Sequence, residues 1–322
     1  MYRAGIGLMM IAGWLAASPP PARAGQQAPA PASTQTAAST QPAPSPRACP
    51  DDGEWNITRK PFRIHGNTYF VGVCGLSAIL ITSPDGHVLI DGGLAETAPK
   101  ILDSIRALGF KPEDVKLILN THAHFDHAGG VADLQRATGA AVAVSPWSAK
   151  VFRTGNSTPD DPQYGTLKPI TTVARVREIK DGETLRVGPL ALDAHFTPGH
   201  TPGGTSWSWK SCDDQQRCLD VVYADSLSPI SADSFLFTSS RANPHAVQDF
   251  EKSFAALSAL TCDLLITPHP GSVDLWDRLE KREAGTMPDP LIDTAALRRY
   301  VDSARERLTK RIAEEKAKSS RR

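Results

Sequence analysis

Four side chains that can bind a metal ion fall within the six residues from His122 to His127, directly after a short apolar segment. Val115 to Leu119 is apolar except for Lys116, which predicts a buried strand. Three imidazoles and one carboxylate then follow at the junction between this strand and a loop. Burying such groups without partners costs free energy, so packing alone does not explain them. The cluster therefore predicts a metal site at the end of the strand.

The spacing within the cluster predicts two metal positions. His122 and His124 are two residues apart, so an extended backbone directs both rings to the same side. Asp126 and His127 lie where the chain turns before the next helix, so they face a second point nearby. Zinc binds imidazole and carboxylate, and a catalytic zinc has three protein ligands and one open position. One zinc ion would leave at least one of these groups idle, whereas two would use them all.

Two further histidines complete this ligand set. His200 lies in the segment Thr-Pro-Gly-His-Thr-Pro-Gly-Gly, after a predicted strand that ends at Phe196. His269 lies in the segment Thr-Pro-His-Pro-Gly, at the end of the last predicted strand. Proline and glycine on both sides hold each histidine on a loop of restricted backbone. We interpret the other histidines as structural or surface residues, namely His65, His87, His195 and His245.

The order of the predicted elements indicates a layered α/β fold. The predicted strands are 63–73, 77–82, 87–90, 115–119, 140–144, 190–196, 205–209, 219–224 and 263–267. The predicted helices are 99–108, 130–137, 246–260 and 295–318. Asp181 and Gly182 predict the turn of a β-hairpin over 179–187. Two strand-rich halves that each contain helices indicate two sheets packed face to face with helices outside.

Residues 1–48 are predicted to lie outside the folded domain, which we place at 49–322. Residues 1–24 contain a positive residue, Arg3, then the apolar run from Ala4 to Ala17, and they end in Ala-Arg-Ala. This pattern is typical of a cleaved secretory signal peptide, and an uncleaved anchor is the alternative. Residues 25–48 are rich in Gln, Ala, Pro, Ser and Thr, which predicts a disordered arm. The mature chain is expected to have no membrane span.

Composition limits the partners and the redox environment. The chain has 35 basic and 35 acidic side chains, so it lacks the excess of basic residues that would favour binding to nucleic acid. Export permits disulfides among the five cysteines. Cys212 and Cys218 flank a polar stretch between two predicted strands, which suits a bridge across a hairpin loop, and a Cys49–Cys74 bridge would tie the arm to the first sheet. Cys262 then remains as a buried thiol.

The motif His-x-His-x-Asp-His, followed by two isolated histidines, resembles the metallo-β-lactamase superfamily. The segments Gly-Leu-Ser-Ala-Ile-Leu-Ile at 75–81 and Ile-Asp-Gly-Gly-Leu at 90–94 resemble the class B zinc β-lactamases of the third subclass. The resemblance extends from about Trp55 to the C-terminal helix and implies a four-layer αββα sandwich with two Zn²⁺ ions per chain. The implied ligands are His122, His124 and His200 for the first zinc, and Asp126, His127 and His269 for the second.

This resemblance implies zinc-dependent hydrolysis of the β-lactam amide bond of penicillins, cephalosporins and carbapenems, and hence antibiotic resistance in a bacterial periplasm. A hydroxide bridging the two zinc ions would attack the lactam carbonyl, and Asp126 would orient it. The family places Ser226 and Ser228 near the carboxylate of the antibiotic, whereas turn-capping surface serines are the alternative interpretation. The implied partner is a small-molecule β-lactam. We expect a monomer, and the sequence leaves the oligomeric state open.

Other functions fit the same ligand set. A glyoxalase II-like thioester hydrolase or a lactonase would use a bridging aspartate at the end of a strand in the second half, where Asp225 stands. A non-catalytic zinc-binding or adhesion domain is a further alternative, but six ligands with open metal positions argue against a structural site. Trp55 and Phe152 are expected to line a shallow groove.

Overall fold

The computed structural model describes Cys49, residues 54–173 and residues 175–320. The signal peptide predicted for 1–24 and the arm predicted for 25–48 lie outside the described residues. In the described part, twelve strands form two sheets, and seven α-helices accompany them. None of the helices described is both long enough and apolar enough to cross a membrane.

The first sheet contains seven strands that follow one another in chain order. They are β1 (Phe62–His65), β2 (Thr68–Phe70), β3 (Ile79–Ile81), β4 (His87–Ile90), β5 (Val115–Leu119), β6 (Ala141–Val144) and β7 (Val176–Glu178). Strands β1 to β4 pair antiparallel, and β4 to β7 pair parallel. Because β4 and β5 are parallel neighbours, the loops that begin at Asp91 and Asn120 leave the sheet at the same edge.

The second sheet contains five strands in the order β12-β11-β10-β9-β8. They are β8 (Thr184–Val187), β9 (Leu190–Phe196), β10 (Thr205–Cys212), β11 (Cys218–Tyr223) and β12 (Leu264–Ile266). Strands β8 to β11 pair antiparallel, and β12 pairs parallel to β11. The β9–β10 connection and the ends of β11 and β12 therefore lie at one edge, which places His200, Asp225 and His269 there.

The fold has four layers, two sheets in the middle and helices on both outer sides, and one apolar cluster lies between each pair of adjacent layers. The helices are α1 (Ala98–Ala107), α2 (Phe125–Ala128), α3 (Val131–Thr138), α4 (Pro146–Thr154), α5 (Ala246–Ser258), α6 (Leu275–Glu283) and α7 (Ala296–Ser319). One cluster joins α1, α3 and α4 to the first sheet, a second fills the space between the sheets around Trp207, and a third joins α5 and α7 to the second sheet. The predicted four-layer αββα sandwich is confirmed.

The C-terminal helix α7 packs onto the domain through one apolar face. Its buried apolar residues recur at helical spacing on one face and pack against the second sheet and α5. They include Leu297, Val301, Ala304 and Leu308, as the sequence pattern predicts. The opposite face of α7 is charged and exposed.

The continuous strand predicted over 63–73 is wrong, because the segment forms a hairpin. Strand β1 ends at His65 and β2 begins at Thr68, with Gly66 at φ +48° in the turn. A Cβ atom at Gly66 would lie 2.3 Å from the carbonyl oxygen of Cys212 in the other sheet. Glycine is therefore required both by the positive φ and by this close approach.

The hairpin predicted over 179–187 is also wrong, because the turn crosses from one sheet to the other. Strand β7 belongs to the first sheet and β8 to the second. The N–H of Gly182 donates to the carbonyl oxygen of Ala194 on β9, 2.8 Å away. Helices α2, α4 and α6 are additions to the predicted set, although α4 has a clear start signal in the Ser145 cap and in Pro146 at its first position.

The predicted disulfides are present. Cys49 is bonded to Cys74, and Cys212 is bonded to Cys218 across the end of the β10–β11 hairpin. Cys262 is a buried free thiol, 6% exposed, in the cluster between the second sheet and α7. Burial raises the pKa of this thiol to about 12, so it behaves as a small apolar side chain.

Candidate metal centre

Three chain segments at the shared edge of the sheets bring the six predicted ligands together. The loop after β5 and the short helix α2 carry four of them, the β9–β10 loop carries one, and the turn after β12 carries the last. These residues are His122, His124, Asp126, His127, His200 and His269. They form two adjacent groups, since the rings of His122 and His127 have centroids 4.4 Å apart.

The first group consists of His122, His124 and His200. Each offers one ring nitrogen, and these nitrogens lie within 4.8 Å of one another in a buried site. The ring centroids are 4.8 Å apart for His122–His124, 4.8 Å for His122–His200 and 5.0 Å for His124–His200. Contacts among three imidazoles that converge on one point contribute little stability by themselves. The arrangement therefore fits a site for a metal ion.

Each imidazole of the first group contacts an oxygen atom through one of its ring nitrogens, which fixes the position of the ring. The contacts are His122 Nδ1 to Asp225 Oδ1 at 2.8 Å, His124 Nε2 to Asp161 Oδ2 at 3.1 Å and His200 Nδ1 to the Ser228 carbonyl oxygen at 2.9 Å. Metal-binding histidines commonly donate their other N–H in this way, which fixes the tautomer and the ring orientation. The remaining nitrogen of His122, Nε2, is buried and has no hydrogen-bond partner among the described residues, as suits a ligand.

The second group consists of Asp126, His127 and His269. Asp126 Oδ2 lies 3.2 Å from His127 Nε2 and 3.5 Å from His269 Nε2, and the two nitrogens are 3.2 Å apart. Ligand atoms at about 2.0–2.1 Å from a tetrahedral zinc lie about 3.3 Å from each other, so this triangle has the size that zinc requires. His269 Nδ1 is held by the carbonyl oxygen of Gly75 at 3.1 Å.

The electrostatics of the site favour the zinc-binding protonation states of His200, His122 and Asp126. Burial lowers the pKa of His200 to about 3, and the neighbouring His124 acts in the same direction. Burial, followed by the charge of His127, holds the pKa of His122 well below its usual value. Burial alone would raise the pKa of Asp126, but His127 and the hydrogen bonds from His127 and His269 hold it well below its usual range. For His127, burial lowers the pKa, but the charge and hydrogen bond of Asp126 outweigh burial and raise it. Neutral imidazole and ionised carboxylate are the ligand forms.

Asp91 organises the loop that carries the cluster, and in the sequence it stands out only as part of a motif. Its carboxylate is fully buried and accepts four hydrogen bonds. Asn120 Nδ2 and the Thr121 N–H donate to Oδ1 at 2.8 and 2.7 Å, and Thr121 Oγ1 and the Tyr223 hydroxyl donate to Oδ2 at 2.8 and 2.7 Å. The one sequence signal was the Asp-Gly-Gly segment after β4, the parallel neighbour of β5.

Asp225 lies behind His122, on the side opposite Nε2. Its Oδ1 contacts His122 Nδ1, and its Oδ2 faces the backbone of Gly204, where an added Cβ atom would lie 2.5 Å from that oxygen. This is the position of a residue that orients a histidine, which differs from the bridging position considered for the glyoxalase-like alternative. Asp161 has the same relation to His124, and no sequence signal indicated it.

Of the other predicted site residues, Ser226, Ser228 and Trp55 lie near the two ligand groups and Phe152 does not. Ser226, Ser228 and His269 border a pocket of about 460 Å³. The ring of Trp55 is 38% exposed and lies 5.3 Å from that of His269, at the rim of the site. Phe152 is fully buried between α4 and the first sheet, so its predicted place in a groove is wrong.

Comparison with known proteins agrees with this geometry. Residues 71–214 match the family model of the metallo-β-lactamase superfamily. The chain is similar to the structure of Rm3 metallo-β-lactamase, with 52% identity and a TM-score of 0.79 over 81% of this chain and 97% of the other. It is also similar to MEM-A1, a subclass B3 metallo-β-lactamase from a soil metagenome library, with 50% identity and a TM-score of 0.80 over 82% of this chain and all of the other.

A curated relative gives a shorter match. The probable metallo-hydrolase YqgX of Bacillus subtilis is 30% identical over 149 residues, which are 44% of this chain. The chain spans 64% of that relative, slightly less than two thirds. From the family match and the two solved structures, the chain belongs to the metallo-β-lactamase superfamily and, within it, to subclass B3.

Proposed function

We propose that this protein hydrolyses the amide bond of β-lactam antibiotics and thereby confers resistance. The observation that carries the proposal is the pair of adjacent ligand groups beside the pocket that Ser226 and Ser228 border. Similarity to subclass B3 enzymes supports the same activity. We further propose that residues 1–24 direct export to the periplasm, that 25–48 form an arm, and that 49–322 form the catalytic domain.

Two zinc ions suit the donor atoms of the site. His122, His124 and His200 would hold the first, and Asp126, His127 and His269 would hold the second. When bound, zinc supplies a nucleophile at neutral pH by lowering the pKa of water to about 7, and it acts as a Lewis acid on a carbonyl oxygen.

The residues of the chain supply orientation and substrate binding. Asp126 stays ionised, so its carboxylate can ligate with one oxygen and accept a hydrogen bond from the attacking water with the other. Ser226 and Ser228 would donate hydrogen bonds to the carboxylate of the antibiotic. Ser228 also contacts His200 Nδ1 through its carbonyl oxygen and through Oγ at 3.2 Å, so substrate binding and ligand orientation share one residue.

The direct test is hydrolysis of a carbapenem by the purified mature protein, with zinc, with a chelator, and beside a glutathione thioester. We expect carbapenem loss that the chelator abolishes, because the nucleophile depends on zinc. Thioester cleavage without lactam cleavage would assign the site to the glyoxalase-like alternative. Loss of neither substrate in the zinc-loaded protein would leave a non-catalytic zinc-binding domain.

Zinc content provides a separate prediction for the ligand assignment. We expect His122→Ala to lose mainly the first zinc and His269→Ala mainly the second, because each removes one of three protein ligands. Metal analysis of the dialysed proteins measures this directly. His245→Ala is the matched control, since His245 is exposed and distant in sequence from the ligands. Full zinc content in both ligand variants would show that the assignment is wrong.

A further inference from the structure

A buried carboxylate on helix α7 has no role in the proposed mechanism. Glu315 is 3% exposed, and charged side chains are rarely buried without partners. It accepts hydrogen bonds from the N–H of Phe237 at 3.1 Å, from the N–H and Oγ1 of Thr238 at 2.9 Å each, and from Arg311 Nε at 2.8 Å. Phe237 and Thr238 belong to the segment 224–245 between β11 and α5, here named the β11–α5 loop.

Arg311, one helical turn before Glu315 on α7, also contacts the β11–α5 loop. Its guanidinium donates to Ser231 Oγ at 2.7 Å and to the carbonyl oxygen of Phe235 at 3.4 Å, and it lies 5.7 Å from the ring centroid of Phe237. The planar guanidinium thus bridges Glu315 and two points of the loop at once. Together, Arg311 and Glu315 fix the loop from Ser231 to Thr238.

This loop reaches two ligands of the first group. Ser228, three residues before Ser231, accepts the hydrogen bond from His200 Nδ1 at 2.9 Å. The N–H of Ala232 donates to the carbonyl oxygen of Pro162 at 2.8 Å, directly after the aspartate that holds His124. A shift of the loop would therefore move the acceptors behind both imidazoles.

The same helix supports the third ligand from its other end. The Tyr300 hydroxyl donates to the carbonyl oxygen of Asp225 at 3.0 Å, and Asp225 holds His122. That end of α7 also borders the pocket beside His269, so a change there would affect both groups. Glu315 lies near the opposite end of the helix and acts on the β11–α5 loop, which makes it the more selective position.

We propose that Arg311 and Glu315 are positioning residues for the first metal. They hold the β11–α5 loop so that its contacts orient His200 and His124 toward the shared metal position. The inference rests on the ligand assignment of the proposed function. It gives the C-terminal helix a role in metal affinity in addition to its packing against the second sheet.

The test is the zinc affinity of each site in the full mature protein carrying Glu315→Gln. Glutamine keeps the size of the side chain but places an amide donor against the donors of the loop. We expect the dissociation constant of the first site to rise about 10-fold, at the low end for lost partners of metal-binding histidines, with the second site unchanged. Competition with a chromophoric chelator measures both constants, and the visible spectrum of the Co²⁺ form reports the geometry of the first site.

Arg305→Ala is the matched control, because it removes an exposed charge paired with Glu251 from the same helix. We expect both zinc constants of this control to equal those of the wild type. Arg311→Lys keeps the charge and loses the forked contact, so it should weaken the first site less than Glu315→Gln does. Arg311→Lys also replaces Glu315→Gln as the test variant if Glu315→Gln fails to fold.

The outcomes separate this inference from the function on which it rests. A wild-type protein that binds fewer than two zinc ions contradicts the two-zinc ligand assignment on which the inference rests. Two zinc ions in the wild type, with both constants unchanged or equally weakened in Glu315→Gln and Arg311→Lys, would overturn the positioning role. Equal weakening would mean that the pair contributes only to the stability of the domain.

Discussion

We expect the Asp126→Asn variant to hydrolyse a carbapenem with kcat lowered roughly 10³-fold, which corresponds to about 4 kcal/mol of activation free energy. Asparagine has nearly the same shape, but its amide carries no negative charge. The variant therefore loses the anionic ligand between His127 Nε2 and His269 Nε2, at 3.2 and 3.5 Å, and the acceptor for the attacking water. Steady-state kinetics at saturating zinc separate the effect on kcat from that on KM.

The matched control is Asp133→Asn on helix α3. The side chain of Asp133 is 45% exposed and pairs with the exposed Arg136 one turn later, so it lies on a partly solvated face. Exposed pairs of this kind contribute about 0–1 kcal/mol, and we expect kcat and zinc content to stay at wild-type values. If Asp126→Asn with both zinc ions bound kept more than about a tenth of wild-type kcat, a group other than Asp126 would orient the nucleophile.

The clustering of the six candidate ligands was predictable from the sequence because their chemistry is concentrated in short segments. Three imidazoles and a carboxylate between His122 and His127 have no good explanation in packing, and strand ends place such residues at a sheet edge. His200 and His269 were added to the candidate set because two metal ions would need further ligands to complete their coordination. The roles of all six as zinc ligands remain predictions that the metal analysis tests.

The residues behind the ligands were not predictable, because their pairing depends on long-range packing. His124 and Asp161 are 37 residues apart, and His122 and Asp225 are 103 residues apart. Aspartates are common in loops, so neither sequence position distinguishes an orienting residue from a turn residue. The buried Glu315 had no signal either, since α7 is rich in charge and most of its charged residues are exposed.

The errors in the fold have the same cause. The sequence predicted a turn at Gly182 but none at Gly66, and whether a turn joins neighbouring strands or crosses between sheets depends on contacts far along the chain. The 63–73 segment reads as one strand because the residues on both sides of Gly66 favour strands. Hydrophobic periodicity predicts whether a segment forms a helix or a strand, but it does not predict which strands pair with each other.

Asp91 provides the largest predicted effect on stability. We expect Asp91→Ala to lower the free energy of unfolding by about 4 kcal/mol, because it leaves four buried donors from Asn120, Thr121 and Tyr223 without their acceptor. Asp91 also adopts φ +67°, a conformation that alanine disfavours by about 1 kcal/mol. Urea unfolding of the zinc-depleted protein measures the loss without the contribution of bound metal.

Asp91→Asn separates the hydrogen bonds from the backbone conformation. Asparagine tolerates the positive φ, and the hydroxyls of Thr121 and Tyr223 can rotate to accept from its amide. We therefore expect a smaller loss, about 1–2 kcal/mol, from the removed charge and the altered network. Asp103→Ala, on the exposed face of α1, should change stability by less than about 0.5 kcal/mol. Equal losses in Asp91→Ala and Asp91→Asn would mean that the negative charge itself, and not the number of satisfied donors, holds the junction between β5 and the ligand loop.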